Sequence, residues 1–102
     1  MFRRRFSDLV QRQLGLFESQ HADLLRECSR AEREFGAAGR EDAEERYGDL
    51  ADRIEWTVAE LEALRDTYAA TLEERAAADY AKAFDRAARK RFPRFAWAYT
   101  DA

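Results

Sequence analysis

The chain has 102 residues, 46% apolar and 38% charged, with a formal net charge of −3. That length suits one domain, and that mixture excludes both a chain disordered by composition and a chain built to live in a bilayer. Four Gly and one Pro leave few places to turn, and so much charge fits a thin helical bundle, where each helix buries one stripe and wets the rest.

Met1 to Phe6 begins like the charged region of a signal peptide, but Ser7, Asp8, Gln11, Arg12 and Gln13 interrupt any apolar run after it. No stretch approaches the ~20 apolar residues of a membrane span. Ser7 and Asp8 suit the cap and first turn of a helix running to Phe35. Its seam is Val10, Leu14, Phe17, His21, Leu24, Cys28, Ala31 and Phe35, an unbroken alternation of four- and three-residue steps. Cys28 is the single cysteine, so it can form no internal disulfide and no cysteine-based zinc site. On the seam it reads as a small hydrophobe, and a lone thiol fits a reducing, cytoplasmic location.

Gly36 and Gly39 mark a turn, with Gly36 in the place of a C-terminal cap. Glu41, Asp42, Glu44 and Glu45 follow and suit the positive end of a second helix dipole. That helix is expected over 40–92, with Gly48 its one weak point and Pro93 its stop. Its stripe reads Ala43, Tyr47, Leu50, Ile54, Thr57 or Val58, Leu61, Leu64 and Tyr68, then drifts onto Leu72, Ala76, Tyr80, Ala83 or Phe84, and Ala87. Residues 1–92 therefore read as an all-α, long antiparallel hairpin, and residues 93–102 as an aromatic tail. The second helix outruns the first by about twenty residues at ~1.5 Å each. Either a bend near 73–78 folds a third helix back, or a second subunit covers the overhang. With no Gly, Pro or Asn at 70–79, the expectation is continuation and a homodimeric four-helix bundle.

Glu18 and His21, three residues apart, share one helical face, the local geometry used in di-iron carboxylate bundles. Folding the hairpin about residue 38 sets His21 opposite Glu55, with Glu62 two turns further on, and a homodimer doubles the set. This arrangement resembles the encapsulated ferritins, two-helix half-ferritins of about this length. The resemblance implies iron held by Glu18, His21 and Glu55 or Glu62. The preferred reading of the residues themselves makes His21 a core-edge histidine beside a carboxylate, with no cofactor. The chain carries no Gly-rich phosphate loop, nucleophile elbow or paired Cys or His metal spacing. Small helical mutases of the chorismate mutase type need inward Arg and Lys, whereas the inward stripe here reads as apolar down to Leu72. A non-enzymatic role is the expectation.

The C-terminal run offers Arg91, Phe92, Arg94, Phe95, Trp97 and Tyr99 as contacts for a protein partner, with Phe95, Trp97 and Tyr99 on one side if the tail is extended. The alternative is that the tail folds back and plugs the open end of the bundle. Residues 13–84 hold nine basic against eighteen acidic groups, a body that repels polyanions, so no nucleic-acid partner is expected. The basic residues are nearly all Arg, with Lys only at 82 and 90, which fits a GC-rich bacterial genome. Self-association and partner binding are the expected functions.

Overall fold

A computed structural model describes residues 5–99. Met1 to Arg4 of the signal-like start and residues 100–102 of the aromatic tail lie outside the described residues. The described chain is all helical: α1 (Ser7–Gln20), α2 (Ala22–Ala37), α3 (Ala43–Ala69), α4 (Glu74–Arg91) and a 3-10 helix (Pro93–Ala98). None of its helices is long and apolar enough to cross a membrane.

Both long helices expected from the sequence are divided. The first is interrupted at His21, whose φ −116° and ψ 31° leave the helical region. Hydrogen bonds persist on either side of it, from His21 N–H to the Phe17 carbonyl and from Leu25 N–H to the His21 carbonyl. The interruption lets the two halves find different partners, since α1 lies along α4 and α2 along α3.

The second helix stops at Ala69 and restarts at Glu74, just before the stretch where a bend was considered. No helix breaker is needed, because two side chains take over the loose backbone groups. The Thr71 hydroxyl donates to the Tyr68 carbonyl at 2.7 Å, closing the end of α3. The Glu73 carboxylate accepts from Ala76 N–H at 2.7 Å and Arg75 N–H at 3.2 Å, capping α4 and favouring its positive end. The chain therefore folds a further helix back on itself and covers the Leu72–Ala87 face from within, with Ala76, Tyr80 and Phe84 buried. The uncovered overhang that called for a second subunit does not exist in this fold.

The α2–α3 pair is antiparallel, tied by Cys28 to Thr57, Glu27 to Arg53 and Glu34 to Arg46. These pairs centre the turn at about residue 41, not 38. Gly36 is not a left-handed cap, as no described glycine has a positive φ, and α2 runs through it to Ala37. By contrast α1 and α4 are parallel, since Gln13 meets Tyr80 and Glu18 meets Arg91. The result is 51 × 22 × 21 Å. At one end α1, α4 and the second half of α3 form a three-helix base holding Val10, Leu14, Phe17, Leu61, Tyr80 and Phe84 in its core. At the other end α2 and the first half of α3 project as an arm.

Candidate interaction site

The four residues considered for metal are dispersed. The Glu18 carboxylate accepts from Arg91 at 2.7 Å, so a residue proposed for metal and one proposed for a partner bind each other. His21 lies against the Phe17 ring, with centroids 4.5 Å apart. The shifted turn sets His21 beside a cleft lined by Glu60, Ala63, Leu64 and Thr67, not opposite Glu55. Glu55 is exposed on the arm side of α3 and Glu62 half-buried. Among the described residues no three His, Cys, Asp or Glu side chains converge as a metal site requires.

The tail residues are largely spent on the fold. Pro93 opens a 3-10 turn rather than an extended strand. That geometry turns Phe95 and Tyr99 inward together and leaves Trp97 outside, 56% exposed. Phe92 packs edge-on against Phe17 and stacks on Phe95. Arg94 reaches α2, donating to Glu32 at 2.7 Å and Ser29 at 3.2 Å. Phe92, Phe95 and Tyr99 are all buried against the bundle. The tail plugs the bundle, and Trp97 alone of its aromatics faces solvent.

What anchors that plug is a buried polar group on α3 that the apolar stripe concealed. Arg65, 7% exposed, donates to Asp85 at 3.0 Å and to Asp66 at 2.8 Å. The Tyr99 hydroxyl donates to the same Asp85 oxygen at 2.7 Å, and the Arg65 and Arg89 guanidinium groups lie over the Tyr99 ring. Burial alone would lower the Arg65 pKa, but its bonds to Asp66 and Asp85 outweigh burial and raise it. Burial, reinforced by the Asp85 carboxylate, raises the Tyr99 pKa. The inward stripe is thus not wholly apolar, although its one cation is consumed by internal partners. The steps from Ile54 through Val58, Leu61 and Arg65 to Tyr68 are 4, 3, 4 and 3, so heptad spacing already places Arg65 inward.

Cys28 is fully buried, 3.2 Å from the Thr57 hydroxyl and 3.5 Å from the Arg53 carbonyl. Burial raises its pKa, which disfavours the thiolate, and the side chain fills space between α2 and α3.

Among the described residues two further surfaces are open. One is the arm: between residues 32 and 53 no side chain is buried. Its seam ends in an open Phe35–Tyr47 edge-on pair, 37% and 51% exposed. The other is a groove of about 300 Å³ between α1 and α4, bordered by Lys82, Arg86 and Lys90. Both are open surfaces on which apolar and charged side chains lie together. No protein-family model, curated protein or solved structure matches the chain.

Proposed function

We propose that this chain is a small structural protein that works by self-association, burying its α2–α3 arm against a second copy in a four-helix arrangement. The observation that carries this reading is the open arm. Two amphipathic helices cannot by themselves cover both sides of their seam, and stable helical layers need a second layer. In the base α4 and the tail supply that layer. In the arm nothing of the described chain does, and Phe35, Tyr47 and, at its root, Trp56 stand in solvent. Trp97 on the tail offers a further apolar contact. The buried, reduced Cys28 agrees with work in a reducing compartment, so the cytoplasm is its proposed location.

Light scattering over a concentration series tests this directly. The expected mass rises toward twice the 11.9 kDa of one chain, and the double variant Phe35→Ser/Tyr47→Ser shifts the midpoint to at least tenfold higher concentration. A single-chain mass at every concentration overturns the reading.

A further inference from the structure

The groove between α1 and α4 has a floor of Val10, Ala83 and Ala87 and a rim of Lys82, Arg86 and Lys90. Both lysines of the chain are on this rim. Asp79 stands at one end, with Ser7 and Gln11 on the α1 side. The three cations are exposed and take part in no ion pair among the described residues. Their neighbours Arg91 and Arg94, in contrast, are both paired within the chain. Small side chains on the floor let another helix come close, and the cations select an acidic one.

Such a helix face exists on the same molecule. Along the outer side of α3, Glu45, Asp49, Asp52, Trp56, Ala59 and Ala63 are all exposed. Their spacing is 4, 3, 4, 3 and 4, so they form one continuous stripe. Its first half is acidic and its second half apolar, with Trp56 at the junction, 62% exposed. Trp is among the side chains enriched at the energetic centres of protein interfaces. The dimensions agree as well. Lys82 to Lys90 spans ~12 Å and Glu45 to Asp52 ~10.5 Å at ~1.5 Å per residue. Within one chain the stripe faces outward from α3 and cannot reach its own groove.

We infer that the Glu45–Ala63 stripe of α3 docks in the α1–α4 groove of a second copy, with Trp56 on the apolar floor and Asp49 and Asp52 against Lys82 and Arg86. The inference rests on the self-association reading and adds a second contact, on the face of α3 opposite the Phe35–Tyr47 seam. If each copy fills the other's groove, the pairing is two-fold and closed, and α1 and α4 of one copy meet the arm of the other.

Charge exchange tests it. Lys82→Glu/Arg86→Glu reverses the groove and Asp49→Lys/Asp52→Lys reverses the stripe, all at exposed positions. Each variant alone is expected to dissociate at least tenfold more readily than the unaltered chain in sedimentation at low salt. An equimolar mixture restores association, because both contacts of the mixed pair become complementary again. Trp56→Ala weakens association without changing the salt dependence. If the unaltered chain associates and neither reversal weakens it, the inference fails while self-association stands. If the unaltered chain is monomeric throughout, both fail.

Discussion

The base and the arm are built from the same seam pattern, yet one is closed and the other open. In the base the stripe of α1 and of α3 meets α4 and the tail, and Leu14, Leu61, Tyr80 and Phe84 lose all contact with solvent. In the arm the same pattern meets only its hairpin partner, and Phe35 and Tyr47 stay wet. The arm is also acidic, with eight acidic and four basic residues between 32 and 53, whereas residues 82–94 hold six basic groups and one buried acid. The buried core and the open apolar seam thereby lie at different ends. A periodic apolar stripe does not say what covers it: in the base this chain folds back far enough to do so, and in the arm nothing of the described chain does.

The sharpest break of that contrast is a cavity in the base. Phe84→Ala is expected to cost about 3–5 kcal/mol in chemical denaturation, and a loss below about 1 kcal/mol denies the base its role as the stable end. Next is the clasp that holds the tail. Arg65→Ala removes a cationic partner of the buried Asp85, 4% exposed, and a loss of about 3 kcal/mol is expected. An unchanged midpoint shows that the network does not hold the tail down.

Alkaline pH reaches the same region more gently. Burial pushes the Tyr80 phenol up from 10.0 to about 12, and Tyr99 moves in the same direction. The unfolded chain releases these protons near pH 10 while the folded chain still holds them. Stability is therefore full below pH 10 and falls as pH rises toward 12. Tyr80→Phe, which cannot ionise, flattens that decline in thermal melts between pH 8 and 11.5, and an equal decline in both proteins removes Tyr80 as a cause. The smallest effect is in the arm and has the opposite sign. Gly48 is inside α3 with open space where a Cβ would stand, so Gly48→Ala is expected to stabilise by up to about 1 kcal/mol. A loss there means that the arm needs the flexibility of glycine.

The fold class was legible, because unbroken 3- and 4-residue steps can bury an apolar face only as helix. The two chain breaks were less legible. At 70–73 the breakers are Thr71 and Glu73, ordinary residues whose side chains happen to satisfy a helix end and a helix start. A search for Gly, Pro and Asn passes over them. The register was misjudged by about three residues at the turn, which doubles to about six across the hairpin and moved His21 from Glu55 to the level of Glu60. Within one chain that slip separates His21 from Glu55. In the tail a 3-10 turn sends Phe95 and Tyr99 inward, where an extended strand would keep all three aromatics together. The groove was not legible at all, since it needs α1 and α4 side by side, 70 residues apart in the chain.

The amino-acid sequence by itself determined that the chain is helical, which face of each helix is apolar, and how its charges are separated. These are local properties, carried by spacing and by side-chain chemistry. Only the tertiary structure decided that the overhanging half of the second helix turns back at Glu73, that Arg65 and Asp85 bury a charge pair under Tyr99, and that the arm is left uncovered. Each of those depends on where distant segments meet, and the meeting is set by total packing, not by any one segment's preference.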